Sequence, residues 1–192
     1  MGGVNQSSMF APHDLAFRRG TIGEANALLA PNHYLGATRA ALHVFIGEAE
    51  GCIAACMTWR LPAARMLPND GTWLELSRWC LTPIAGKNAG SRMHRFAIRD
   101  LRRSAPDVTT LVSYSDPSAG HTGALYRACN WEWRPTWHRL RPPPSGNGAW
   151  TAAKRESVKD RWVFELRRDP RRDGVLAIKD EAIAKRIAAA AS

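Results

Sequence analysis

The sequence predicts a mixed α/β (α+β) fold, a central sheet flanked by helices, with a basic C-terminal extension. Three observations carry this. Runs of strand and helix period interleave in the order β-α-β-β-β-α-β-α-β-β. A helical stretch at 92–103 separates two strand-like runs, which makes it a crossover between parallel strands. Finally, Leu111–Trp131 reads as a buried strand running straight into a helix with a polar first turn. Such junctions hold ligands in α/β proteins, because unpaired backbone N–H groups and the helix dipole converge there.

Residues 1–13 read as a loose start. A short strand over Leu15–Arg18 precedes a helix over Ile22–Ala30 that Pro31 ends. Asn32-His33-Tyr34-Leu35-Gly36 follows as a polar-aromatic loop. Leu42–Ile46 and Gly51–Trp59 read as strands joined through Gly47-Glu48-Ala49-Glu50. After a Pro/Asn/Asp/Gly-rich loop, the third strand of the series, Trp73–Leu81, alternates. Leu74, Leu76, Arg78 and Cys80 share one face, and Trp73, Glu75, Ser77 and Trp79 the other.

The turn Ala85–Ser91 leads into the 92–103 helix, with Met93, Phe96, Ala97 and Leu101 as its apolar stripe. Pro106 closes that helix and a strand over Thr109–Ser115 follows. Asp116 is placed as an N-cap with Pro117 at the first position of a helix over 118–129 that stops near Asn130. Glu132–Trp137 reads as a strand, Pro142–Gly148 as a loop, Arg161–Arg167 as the last strand and 175–190 as an amphipathic helix. No internal repeat is present. A chain of 192 residues suits one domain, with a core over 1–140 and an arm over 141–192 packed on the same domain.

Hydrophobic content of 45% argues against disorder. The net charge of +10 points to a polyanionic partner, most simply nucleic acid, ahead of an anionic membrane or plain solubility. Residues 127–172 concentrate twelve Lys and Arg against five Asp and Glu, together with five of the eight tryptophans. Arginine neutralises phosphate while Trp planes stack on exposed bases, although the same mixture also describes buried tryptophans and solvated arginines. The four cysteines show no paired C-x-x-C spacing, which argues against a zinc cluster. Cys52, Cys56 and Cys80 read as small core residues. With no signal peptide and no membrane-length apolar run, the expectation is a reduced, cytoplasmic protein.

Several residues carry potential chemistry. The turn Gly86–Ser91 before a helix suits a pyrophosphate, or is an ordinary loop. Arg78 on an apolar strand face needs a partner, either a carboxylate such as Glu75 or Asp116 or a ligand phosphate. Tyr126, late in its helix, suits proton donation to a leaving group, or core packing. His33, Tyr34, Asp116 and His121 are acid/base or metal candidates, with capping alone a sufficient explanation of Asp116.

The layout, the turn before the central helix and the Tyr126…Asn130-Trp131 ending resemble the GNAT fold of acetyl-coenzyme A N-acyltransferases. Where that fold usually has Q/R-x-x-G-x-G/A, this chain has Lys87-Asn88-Ala89-Gly90-Ser91. Over roughly residues 20–140, four blocks also resemble the phage Mom family. They are Asn32–Gly36, Leu74-Glu75-Leu76-Ser77-Arg78, Asn88–Ser91 and Ser115-Asp116-Pro117-Ser118-Ala119-Gly120-His121-Thr122-Gly123-Ala124-Leu125-Tyr126-Arg127-Ala128-Cys129-Asn130-Trp131.

That resemblance implies a GNAT-like enzyme that converts adenine N6 in DNA to methylcarbamoyladenine and shields phage DNA from restriction in the host bacterial cytoplasm. The implied cofactor is acetyl-CoA, with Arg78, Asn88, Gly90 and Ser91 on its phosphates or pantetheine and Tyr126 near the thioester sulfur. His33, Tyr34 and Asp116 would form the chemical centre, a set also compatible with iron. The implied partner is double-stranded DNA with a flipped adenine, and a homodimer is admitted. Flipping costs a few kcal/mol. Arg134, Arg139, Arg141 and Arg161 are expected to grip phosphates while Trp133 or Trp137 stacks on the extruded base or replaces it. The competing expectation is a conventional acetyl-CoA-dependent N-acetyltransferase of a protein or small amine, which would favour an acidic acceptor groove.

Overall fold

The computed structural model describes residues 15–134 and 159–191. The loose start at 1–13, the Pro142–Gly148 loop and the candidates Trp137, Arg139 and Arg141 lie outside the described residues. Seven strands form one sheet in the order β1-β2-β3-β4-β5-β7-β6. The described residues divide into a first compact unit of residues 15–58 and 78–97 and a second of residues 59–77, 98–134 and 159–191.

In the first unit, β1 (Ala16–Arg19) pairs antiparallel with β2 (His43–Ala49). Helix α1 (Ile22–Asn32) is started by a capping box. Thr21 Oγ1 accepts the Glu24 N–H at 3.2 Å and Glu24 Oε2 accepts the Thr21 N–H at 2.7 Å. Arg18 reaches Glu24 and Glu48 at 2.7 and 2.6 Å. The buried face of α1, Ala25, Leu28 and Leu29, packs on Val44, Ile46, Cys56 and Cys80. Each such leucine contributes about 1.5–3 kcal/mol by leaving water.

Pro31 does not end α1 as expected; it lies in the last turn. A proline this late removes one N–H, and the neighbouring carbonyls still find donors. Asn32 Nδ2 donates to Leu28 O at 2.9 Å and His33 N to Leu29 O at 2.9 Å.

The hairpin turn is also displaced. It falls at Glu50-Gly51, both at positive φ (52° and 74°), between β2 and β3 (Cys52–Arg60). Gly47 is a strand residue opposite Phe17, where a Cβ would lie 3.1 Å from Ala55 Cβ and 3.3 Å from the Phe17 ring. It is glycine for close approach, which the sequence alone does not distinguish from a turn. Cys52, expected in the core, is exposed at the strand start, while Cys56 and Cys80 are buried. Burial pushes the Cys56 thiol up to about 12.

β4 (Trp73–Leu81) pairs parallel with β5 (Thr110–Ser115), as the crossover requires. Their register covers Trp73–Leu76 with Thr110–Ser113. A 3-10 turn at Pro83–Ala85 precedes α2 (Ala89–Ser104), which starts inside the expected loop and buries Met93, Ala97 and Leu101.

In the second unit, β7 (Asp160–Glu165) lies antiparallel between β5 and β6 (Glu132–Arg134). The expected 118–129 helix is instead a 3-10 turn at Pro117–Ala119 and a short α3 (Ala124–Ala128). Gly120 and Gly123 sit at φ 79° and 74°, in the left-handed region that an α-helix cannot pass through. The C-terminal helix α4 (Arg172–Ala191) starts earlier than the sequence indicated. Its Leu176 packs with Leu67, Trp73, Val112 and Val163.

Cross-strand register fixes two faces on β5, β7 and β6. Ser113, Trp162 and Trp133 are opposite one another on one face. Tyr114, Arg161 and Arg134 share the other, which is the face α4 covers.

Candidate active site

Within the first unit, the end of α1 delivers His33 and Tyr34. His33 Nδ1 accepts the Leu35 N–H at 3.1 Å, so a neutral ring carries its proton on Nε2. The His33 and Tyr34 rings stack at 5.0 Å, and Tyr34 is 42% exposed. The loop closes with the Gly36 N–H on His33 O at 2.7 Å. Arg78 Nε, on β4, then donates to the Gly36 carbonyl at 3.1 Å. The structure therefore brings His33, Tyr34 and Arg78 together through the main chain of this loop.

Glu75 is held within the second unit. It accepts from Arg60 at 2.5 Å and from the Ala63 N–H at 2.9 Å.

The expected phosphate turn is the beginning of α2. Asn88 is left-handed (φ 59°), and its carbonyl accepts the Arg92 N–H and the Ser91 hydroxyl, each at 3.0 Å. Ala89, Gly90 and Ser91 occupy the first helical turn, where N–H groups lack intrahelical acceptors and point along the positive end of the dipole. Nearby on α2, His94 is buried against Trp79, and burial lowers its pKa to about 4.

Within the second unit, Asp116 directly follows β5 and is 6% exposed. Its carbonyl accepts the Ala119 and His121 N–H groups at 3.0 and 3.1 Å, so the residue heads a single 3-10 turn rather than a long helix. His121 is exposed. Tyr126 on α3 is half-buried, stacked on Trp162 at 5.3 Å and 9° and edge-on to Trp131. Its hydroxyl is 2.8 Å from Ser113 Oγ, which itself donates to Leu76 O at 3.1 Å. Trp162 Nε1 donates to Ser115 Oγ at 2.8 Å, and Trp131 N–H caps the helix on Tyr126 O at 3.0 Å.

Sequence alone does not mark Ser113, Ser115 and Trp162 as a linked set. The available signal was two hydroxyls two residues apart on an otherwise apolar strand, which places both on one face.

The nucleic-acid candidates separate. Trp133 is 53% exposed on β6, with Nε1 on Asp160 Oδ1 at 2.9 Å. Arg134 pairs with Glu132 at 2.6 Å and with Asp180 at 3.6 Å. Arg161 is 0% exposed and ion-paired to Asp180 of α4, so it holds the helix on the sheet instead of facing solvent. The iron expectation finds no support. Among the described residues no three His, Cys, Asp or Glu side chains gather into a ligand set, and the His33 imidazole already uses Nδ1 on the main chain.

Among known proteins, the model of the Mom protein family matches residues 14–162. No curated protein matches. A GNAT-like decarboxylase, GphF, in complex with isobutyryl-CoA has TM-score 0.57 and 13% identity, covering 79% of this chain and 100% of its own. An N-acetyltransferase of Staphylococcus aureus has TM-score 0.54 and 16% identity, covering 80% and 99%. A GNAT family acetyltransferase of Elizabethkingia anophelis with acetyl-CoA bound has TM-score 0.53 and 13% identity, covering 79% and 98%. At these identities the likeness establishes the fold, which is that of the GNAT proteins. No helix among the described residues is long and apolar enough to cross a membrane.

Proposed function

The chain belongs to the Mom protein family, and we propose that it uses the GNAT fold to modify adenine N6 in double-stranded DNA to methylcarbamoyladenine with an acyl-coenzyme A donor. The observation that carries this reading is the family match over residues 14–162 on a chain of net charge +10. A strongly basic protein suits a DNA backbone and disfavours a cationic amine acceptor.

The residues fit an acyl-coenzyme A. Its pyrophosphate would be held by the N–H groups of Ala89, Gly90 and Ser91, with Asn88 shaping the turn and Arg78 proposed as a further contact from the same unit. When bound, it supplies an activated acyl carbon. Tyr126 Oη gives a proton to the departing thiolate. Asp116, a buried carboxylate at the end of β5, takes the proton released from N6, whose lone pair is weakened by delocalisation into the ring. His33 and Tyr34 present an imidazole and an exposed ring for orienting the base. The extra amide nitrogen of the product must arrive with the donor or with a second substrate.

For the DNA, Trp133 offers an exposed ring for stacking, while Arg134 sits on the opposite face, paired with Glu132 and Asp180. Trp137, Arg139 and Arg141 extend the set. Stacking contributes about 1–3 kcal/mol per base, enough to offset a few kcal/mol of unpairing when phosphate contacts are added.

The test is binding by the purified chain. Acetyl-CoA should bind, and duplex DNA should bind with an affinity that falls steeply with salt. Trp133→Ala should weaken DNA binding without changing acetyl-CoA binding. A protein that binds acetyl-CoA but no DNA, and acetylates amines, would replace this reading with that of a conventional N-acetyltransferase.

A further inference from the structure

The hydrogen bonds around Tyr126 have a determined direction. Ser113 Oγ is 3.1 Å from Leu76 O, buried, and a carbonyl only accepts. A serine hydroxyl has one proton, and here it is directed at Leu76. Toward Tyr126, 2.8 Å away, Ser113 can then only accept. The phenol proton of Tyr126 therefore points at Ser113 in the resting protein, and the phenol oxygen presents its lone pairs elsewhere.

The Leu76 carbonyl is a suitable anchor. Leu76 and Ser113 are the last partners in the parallel register of β4 with β5, so the serine hydroxyl meets a carbonyl at the end of that ladder. The Tyr126 ring is fixed by its stack on Trp162, whose indole N–H is tied to Ser115 on the same strand face. Gly123 leaves the space, since a Cβ there would sit 2.1 Å from Trp162 Cζ2.

We propose that Ser113 is a positioning residue that controls the protonation of Tyr126 by exchanging its role from acceptor to donor. The inference rests on the reading of Tyr126 as the acid for the departing thiolate. In the resting state Ser113 accepts the phenol proton. When Tyr126 turns that proton to the thiolate sulfur, the S–H bond forms and the phenol O–H bond breaks. The Ser113 hydroxyl then rotates from Leu76 O to the phenolate oxygen and stabilises the charge. Asp116 holds the proton lost by the acceptor nitrogen, and exchange with solvent releases it and reprotonates the phenol, so the step balances with no further reactant. A hydrogen bond to an ionised group is stronger than one to its neutral form, and therefore Ser113 lowers the Tyr126 pKa.

The chain has three tyrosines, Tyr34, Tyr114 and Tyr126, which makes the test direct. Tyrosine labelled with 13C at Cζ is titrated by NMR in the full-length protein, with each signal assigned by a Tyr→Phe variant. Ser113→Ala should move the Tyr126 midpoint upward by about one pH unit. Ser113→Thr keeps the hydroxyl donor and should leave the midpoint near the wild-type value. The Tyr34 midpoint should stay in place. In turnover, Ser113→Ala should lower kcat with acyl-coenzyme A affinity unchanged. An unmoved Tyr126 midpoint in a folded Ser113→Ala protein overturns the inference whatever the activity. A moved midpoint, in a protein whose Tyr126→Phe variant retains full activity, leaves the relay standing and removes the assignment of Tyr126 as the acid.

Discussion

Arg78 Nε donates to the Gly36 carbonyl oxygen at 3.1 Å, which commits a guanidinium on the central strand to the main chain of the loop carrying His33 and Tyr34. Arg78→Met should loosen that loop. The Leu35 and Gly36 amides, bonded to His33 Nδ1 and His33 O, should exchange with deuterium faster, and the KM for the acyl donor should rise. Unchanged exchange at both amides would mean that the loop holds itself.

Acid should weaken the protein through His94. Burial lowers its pKa from 6.5 to about 4, so between those values the unfolded chain binds a proton that the folded one refuses. Stability is fully present above pH 6.5 and declines as pH falls toward 4. At pH 5 the loss is about 2 kcal/mol. Urea unfolding at pH 7 and pH 5 measures it, and His94→Phe should flatten that part of the profile. An equal slope in the variant would assign the effect to other groups.

Gly123→Ala should be costly for two reasons. Its φ of 74° disfavours a side chain, and the new methyl would meet the Trp162 ring at 2.1 Å. Strain and overpacking together amount to about 2–5 kcal/mol. Denaturant unfolding followed by tryptophan fluorescence reads this directly. Gly36→Ala, also at positive φ but with open space around it, should cost less.

The sequence conveyed the interleaved element order, the parallel β4–β5 pair and the apolar stripe of α2, because each depends on period and chain direction. Helix limits were legible only where the local rule was also the tertiary rule. Pro31 looked like a stop, yet it falls in a last turn whose carbonyls Asn32 and His33 satisfy. Gly47 looked like a turn residue and is a contact with Phe17 and Ala55. The expected 118–129 helix is broken, since glycines at 120 and 123 adopt left-handed backbone that no periodicity count reveals. In the site, His33, Tyr34 and Arg78 could be named individually. The Arg78–Gly36 bond that links them could not, because a main-chain acceptor leaves no mark in the sequence. Arg161 was read as a phosphate contact from local charge. Its partner Asp180 lies on a helix nineteen residues further along, and only folding brings the two together.

The central claim is that this protein modifies adenine in DNA, and mass spectrometry of nucleosides tests it most directly. DNA is taken from bacteria expressing the wild-type protein and from bacteria expressing Asp116→Ala at the same soluble level. The account predicts a heavier deoxyadenosine, carrying an amide-containing increment, with the wild type alone. Unmodified deoxyadenosine in cells that contain soluble wild-type protein, its acyl donor and duplex DNA would contradict it.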